Sequence, residues 1–195
     1  MSTRGRIVIA SNNAHKVTEL QAMLTRFNLV TQAELGVTDA EETGTTFVEN
    51  AIIKARHAAA VTGLAAIADD SGLSVPALGG APGVYSARFA GANATDADNN
   101  HKLLAKIARF GDDKLGARFH CVIAFMQSAG DPTPLIAHGT LDGRLVREAR
   151  GSNGFGYDPH FLVPDQNLTL AEMGADAKNR ISHRAGALAR LKQML

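Results

Sequence analysis

The stretch Leu64-Ala65-Ala66-Ile67-Ala68-Asp69-Asp70-Ser71-Gly72 decides the fold. Its first five residues are apolar, too few for a helix of ordinary length, and they read as a short buried strand over Leu64 to Ala68. The strand is expected to end where two carboxylates and a Ser-Gly pair follow. Upstream, Thr46-Phe47-Val48-Glu49 has the capping-box pattern, and the helix it opens runs to Gly63, a natural helix stop. Further back, Lys16 to Phe27 carries Val17, Leu20, Leu24 and Phe27 at helical spacing, between short strands at Arg6 to Ala10 and Leu29 to Gln32. The order strand, helix, strand, helix, strand is that of an α/β sheet. Downstream, Thr95-Asp96-Ala97-Asp98 opens a helix reaching Arg109. Arg118 to Met126 and Leu135 to Leu145 then read as long strands joined through Gly130-Asp131-Pro132. A connection that short returns the chain antiparallel, so the sheet is mixed. Ile181, Ala185, Leu188, Leu191 and Leu195 mark an amphipathic C-terminal helix. The chain reads as a single domain over residues 1–195.

Composition narrows the function. The 195 residues are 45% apolar and 20% charged, which excludes a disordered chain. Lys and Arg number 20 against 19 Asp and Glu, a net charge of +1. Such a balance leaves no electrostatic footprint for a nucleic-acid polymer. With no Trp, eight Phe and two Tyr, a stacking surface for single strands is not expected either. One cysteine, Cys121, removes disulfides and cysteine-rich zinc sites, and its apolar run to Met126 makes it a buried thiol. No apolar run is long enough for a signal core or a membrane span, so a cytoplasmic protein with no membrane partner is expected.

Four polar clusters carry the candidate chemistry. Ser11-Asn12-Asn13-Ala14-His15-Lys16 leads from a strand into a helix, where backbone N–H groups and a lysine suit an anion such as phosphate. The same residues also read as an Asn-rich turn and cap, with Lys16 paired to Glu19. Adjacent Asp69 and Asp70 repel one another unless a cation compensates, and oxygen ligands favour Mg²⁺ or Mn²⁺. Neighbouring residues diverge, so one of the two is expected to reach a metal, helped by the acidic pair Glu41-Glu42. The alternative is an Asp-rich turn. Gly154-Phe155-Gly156-Tyr157-Asp158-Pro159 has the wrong glycine spacing for a dinucleotide loop and reads as a flexible loop presenting Phe155, Tyr157 and Asp158. Finally, Lys178 to Arg184 puts cations at a helix start, against the macrodipole, which points either to a ligand with acceptors or to a solvated basic turn.

Together these stretches resemble the inosine triphosphate pyrophosphatases. The matching residues are Ser11-Asn12-Asn13 with Lys16, Phe47 to Ala51 with Lys54, and Ala68-Asp69-Asp70-Ser71-Gly72-Leu73. They continue with Leu78 to Arg88, Gly154 to Pro159, and Lys178-Asn179 with Ser182-His183-Arg184. They occur in the family's order over nearly the whole chain, with Ser-Asn-Asn where Thr-Gly-Asn is common. The resemblance implies an elongated mixed sheet flanked by helices, in two lobes with the site in the cleft between them. It implies a homodimer that hydrolyses ITP, dITP and XTP to the monophosphate and pyrophosphate with Mg²⁺. Carried over by motif, Asp70 is the proton acceptor and a metal-site residue, with Glu41 as its acidic partner. Ser11, Asn12, Asn13, Ala14, His15, Lys16, Lys54 and Ser71 hold the triphosphate. Phe155, Gly156, Tyr157, Asp158, Lys178, His183 and Arg184 hold the base and sugar.

Elementary chemistry agrees with these roles. A triphosphate concentrates negative charge that Mg²⁺, Lys16 and Lys54 can neutralise as water attacks. Asn50 and Lys54, four apart, share a helix face, and Glu49 is the capping acid. A nucleotide-sensing module would need no acidic metal site, and a pyrimidine-directed pyrophosphatase would not call for the donors Lys178, His183 and Arg184.

Overall fold

The computed structural model describes residues 5–195. The strands and helices before the acidic pair form where their local signals lie. β1 (Ile7–Ile9) leads through an Asn13 cap into α1 (Ala14–Met23), and β2 (Leu29–Thr31) follows. α1 stops short of Phe27, because Leu24 leaves helical geometry and closes the last turn. α2 (Phe47–Thr62) has both halves of its capping box, Thr46 with Glu49, and ends at Gly63 in the left-handed region. A cap of this kind contributes about 1 kcal/mol.

β3 (Ala65–Ser74) departs from expectation. The strand does not end at Ala68 but continues through Asp69, Asp70, Ser71 and Gly72. The acidic pair is therefore strand, not turn. After β3 come α3 (Asp96–Ile107), β4 (Gly116–Met126) and β5 (Leu135–Leu145). Two short strands without a sequence signature follow, β6 (Phe161–Val163) and β7 (Leu168–Thr169). The expected C-terminal helix is two helices, α4 (Ala175–Ile181) and α5 (His183–Met194), separated at Ser182 in extended conformation.

Among the described residues, seven strands form one sheet in the order β2-β1-β3-β4-β5-β6-β7. β1 runs parallel to β2 and β3, Ile9 lying opposite Thr31 and Ile67. β6 runs antiparallel to β5 and β7. The sheet is mixed and flanked by helices, as the sequence indicates.

The chain falls into two compact units, residues 5–70 with Cys121–Gly139 and Ala185–Leu195, and Ser71–His120 with Thr140–Arg184. In the first unit the strands alternate cleanly between two cores. Val8, Ala66, Ala68, Val122 and Ala124 face α2, meeting Ala51, Ala55, Ala58 and Ala59. Ile9, Ile67, Cys121 and Ile123 face α1 and α5, meeting Leu20, Leu24, Leu188 and Leu191. Alanine on both surfaces brings α2 close to the sheet, which sets the reach of its polar side chains. The second unit has its own core, in which Leu103 and Ile107 of α3 pack with Leu73, Phe119, Leu145 and Phe161.

Candidate active site

The alternation of β3 separates the two aspartates. Asp70 follows Ala66 and Ala68 onto the α2 face, and Asp69 follows Ile67 onto the α1 face. Lys54 of α2 donates to Asp70 Oδ1 at 2.8 Å and to Glu42 Oε1 at 2.7 Å. Asn50, one turn earlier on α2, reaches Asp70 Oδ2 through its Nδ2 at 3.4 Å. On the other face Lys16 lies 3.3 Å from Asp69 Oδ2, and Cys121 Sγ approaches the same oxygen at 4.0 Å. Lys16 thus pairs with Asp69 and not with Glu19. In α1's first turn, Asn13 accepts from the Lys16 amide at 3.1 Å, and Ser11 Oγ accepts from the Asn13 amide at 3.2 Å. Asn12, Ala14 and His15 are exposed around them.

The electrostatics of this cluster single out Asp70. Burial pushes its carboxyl above the usual aspartate range, and the charges of Lys54 and Lys16 offset only part of that shift. Burial works against the Lys54 ammonium too, but Asp70, Asp69 and Glu42 more than compensate, so its pKa is raised. The result is a carboxylate poised to take a proton beside an ammonium that keeps its charge. Glu41, the expected acidic partner, is not the carboxylate that meets Lys54. It is exposed, and its backbone carbonyl accepts from the Thr43 amide at 3.1 Å. The acidic neighbour of Asp70 through Lys54 is Glu42.

These donors suit a hard divalent cation. Asp70 and Glu42 converge on one ammonium position with oxygen ligands alone. Among the described residues no group of three or more His, Cys, Asp or Glu is close enough to cage a metal. Mg²⁺ and Mn²⁺ need no such cage, because water and substrate phosphates complete their shells, whereas structural zinc takes four protein ligands.

The second unit gathers the other expected residues. Phe155 is half-buried, with Lys178 Nζ 4.8 Å and the Arg184 guanidinium 6.0 Å from its ring centre. Both cations hold the geometry of a cation–π contact. Lys178 also donates to Asp158 Oδ2 at 2.7 Å, and the same oxygen accepts from the Phe155 amide at 3.0 Å. Gly154, at φ 73°, must be glycine, since a Cβ there would lie 2.0 Å from Asp158 Oδ2. Asp158 therefore organises the loop and holds Lys178. Arg184, 1% exposed, donates to Ser71 Oγ at 3.1 Å.

Two features of this region differ from the reading of the sequence. Lys178 sits in the last turn of α4, where a cation suits the macrodipole; only His183 and Arg184 stand at a helix start, that of α5. Tyr157 does not present its ring to solvent. It is 4% exposed, its hydroxyl donates to the Ser86 carbonyl at 2.8 Å, and burial raises its pKa. Gly156 is tied to α3, its amide donating to Asp96 Oδ2 at 2.6 Å and its carbonyl accepting from Asn100 Nδ2 at 2.8 Å.

Sequence reasoning missed Phe119. Its ring stacks on His183 with centroids 4.7 Å apart and planes 10° apart, and it meets Phe161 at 4.6 Å. A lone Phe on a strand carries no signal of such a role; only the register of β4 gives it one.

Residues 7–194 match the family model described as the Ham1 family. The chain is 56% identical over 185 residues to the dITP/XTP pyrophosphatase of Salmonella typhimurium (strain LT2), covering 94% of each. It is 55% identical, with the same coverage, to the dITP/XTP pyrophosphatase of Escherichia coli (strain K12). A solved structure of a HAM1 protein from Coxiella burnetii is 53% identical and superimposes with a TM-score of 0.90 over 97% of each chain. Motifs, fold and near full-length similarity agree, and the chain belongs to the Ham1 family.

Proposed function

We propose that this protein hydrolyses non-standard purine nucleoside triphosphates, ITP, dITP and XTP, to the monophosphate and pyrophosphate, and so removes them from the nucleotide pool. The names of its relatives support the reaction class and two of the substrates, dITP and XTP. One observation carries the reading: the buried carboxyl of Asp70, pushed above its usual range and held beside Lys54 and Glu42. Asp70 accepts the proton of the attacking water, and burial, by raising its pKa, makes it a stronger base than an ordinary aspartate. Lys54, with Lys16 in the first turn of α1, stabilises negative charge building on the phosphates. Asp70 and Glu42 would hold a divalent cation, Mg²⁺ or Mn²⁺, which when bound would supply further positive charge to the phosphates. Glu42, and not Glu41, takes the second carboxylate role.

The second-unit cluster serves the base. Phe155 offers a stacking face, while His183 and Arg184 offer donors to a 6-keto oxygen, which hypoxanthine and xanthine carry and adenine lacks. Ser71 is held by Arg184 and completes the substrate contacts. A homodimer in the cytoplasm belongs to the same proposal. Among the described residues no helix is long and apolar enough to cross a membrane. The Gly79 to Gly91 stretch carries Tyr85, a ring 56% exposed, as the candidate contact between copies. The deciding experiment is a screen of nucleoside triphosphates with Mg²⁺, scoring pyrophosphate against orthophosphate. Pyrophosphate and monophosphate from dITP, ITP and XTP are expected, with little from ATP. Stepwise orthophosphate and a nucleoside diphosphate would replace this reading with an ordinary phosphatase.

A further inference from the structure

We infer that Asn50 is the positioning residue of the first-unit cluster: its buried side-chain amide fastens the loop carrying Glu42 to the carboxylate of Asp70. Asn50 is 0% exposed. Its Oδ1 accepts from the Gly44 amide at 2.9 Å, and its Nδ2 faces Asp70 Oδ2 at 3.4 Å. An amide N–H requires an acceptor and an ionised carboxylate requires a donor, so only a side chain with one of each satisfies both neighbours. Aspartate in place of Asn50 would set two acceptors against each other, and an aliphatic residue would leave both neighbours without this partner.

Packing does not explain an asparagine here. Asn is a poor helix former, and a buried polar group costs free energy unless it is hydrogen-bonded. The neighbours Ala51 and Ala55 show what burial alone selects on this helix. The loop supplies independent geometry. A Cβ on Gly44 would lie 2.6 Å from Asn50 Oδ1 and 2.6 Å from Glu49 Cβ, so only glycine allows the loop to approach this closely. Glu42, two residues before that anchor, is thereby delivered to within 2.7 Å of Lys54 Nζ. Asn50 and Lys54 then address the two oxygens of Asp70 from successive turns of α2, and both also hold the loop, Asn50 at Gly44 and Lys54 at Glu42.

The consequence for turnover rests on the function proposed above; the loop anchor does not, and the test separates them. Asn50→Ala is expected to lower kcat on dITP about 10-fold or more, because small misplacements of reacting groups are costly, while KM changes less than about threefold. In an Asp70→Asn background the same substitution should change the residual kcat less than about twofold, since Asn50 acts through Asp70. Hydrogen exchange at the Gly44 amide, measured without substrate, should become about 10-fold faster in Asn50→Ala. If Asn50→Ala does not fold, Gly44→Ala disturbs the other end of the contact, and the same kcat loss and the same silence in Asp70→Asn are expected. Wild-type kcat in either folded variant, an equal loss in the Asp70→Asn background, or unchanged Gly44 exchange would overturn the inference. Faster exchange in a protein whose wild type does not cleave dITP would leave the anchor standing and remove the proposed function.

Discussion

Two buried aspartate–lysine pairs, Asp70–Lys54 in the first unit and Asp158–Lys178 in the second, have nearly the same geometry and different company. Their closest approaches are 2.8 and 2.7 Å, and all four side chains are at most 13% exposed. Asp158 Oδ2 accepts from the Lys178 ammonium and from a backbone amide, in a loop whose glycine leaves no space beside it. Asp70 shares its lysine with a second carboxylate, Glu42, and burial outweighs the attraction of Lys54 and Lys16. On the function proposed above, the Asp158–Lys178 pair holds its loop, while Asp70, whose lysine is divided with Glu42, takes the proton. The same residue types would then do two jobs, set by their neighbours.

The largest expected effect tests that contrast directly. Asp70→Asn keeps shape and removes charge, and kcat should fall at least ~10²-fold, the loss typical of a positioned acid–base group. Nucleotide binding, followed by calorimetry, should survive better than turnover. Wild-type kcat in saturating Mg²⁺ would end the role of Asp70 as base and as ligand. The Asp158–Lys178 pair should respond in the opposite currency. Asp158→Ala leaves a lysine buried without its carboxylate and should destabilise the fold by about 3–5 kcal/mol in denaturant unfolding. Asp70→Asn should cost much less stability, because Glu42 still faces Lys54. Equal stability losses in the two variants would erase the distinction.

Base choice comes next in size. His183→Ala and Arg184→Ala should each narrow the ITP/ATP ratio of kcat/KM by about 10-fold, the worth of one buried hydrogen bond left unmade or mispaired. Phe155→Ala should weaken both substrates in similar proportion, since every base has a stacking face. Phe119→Leu, which keeps bulk but removes the stack on His183, should narrow the ratio less than His183→Ala. If neither donor variant moves the ratio, base selection lies outside this cluster.

The smallest effect concerns pH. The rate should rise with pH as Asp70 ionises, at a pKa above that of an ordinary aspartate, because burial raises it. Lys54 lowers that pKa by its charge, so Lys54→Met should move the acid limb of the normalised profile to higher pH. A limb that stays put or moves down would break the link between Lys54 and Asp70. Stability runs the opposite way. Between the unfolded and the raised folded pKa of Asp70 the native state binds the proton more tightly, so this group's contribution to stability falls as pH rises through that window. Asp70→Asn should flatten that part of the stability–pH curve.

Features that depend on a few neighbouring residues were legible in the sequence. The Thr46–Glu49 capping box, the stop at Gly63, the Asn13 cap and the short strand β1 follow from local geometry, and each forms where its residues stand. The grouping of Lys16, Lys54 and Asp70 came from the family resemblance, while helical spacing gave only that Asn50 and Lys54 share a face of α2. Choices between adjacent or equivalent residues were not legible. Glu41 or Glu42, Glu19 or Asp69 as the partner of Lys16, and the partner of Lys178 are settled by which side chain meets a cation supplied from elsewhere in the chain. The same cause carries β3 past Ala68. Two adjacent aspartates would end a strand in isolation, since neither can be desolvated alone, but lysines from α1 and α2 meet one on each face and the strand continues. β6 and β7 are too short to show a period, and they exist only because β5 offers them an edge. Periodicity and capping are written along the chain, whereas the compensation of a buried charge is written across it, and only folding brings the two partners together.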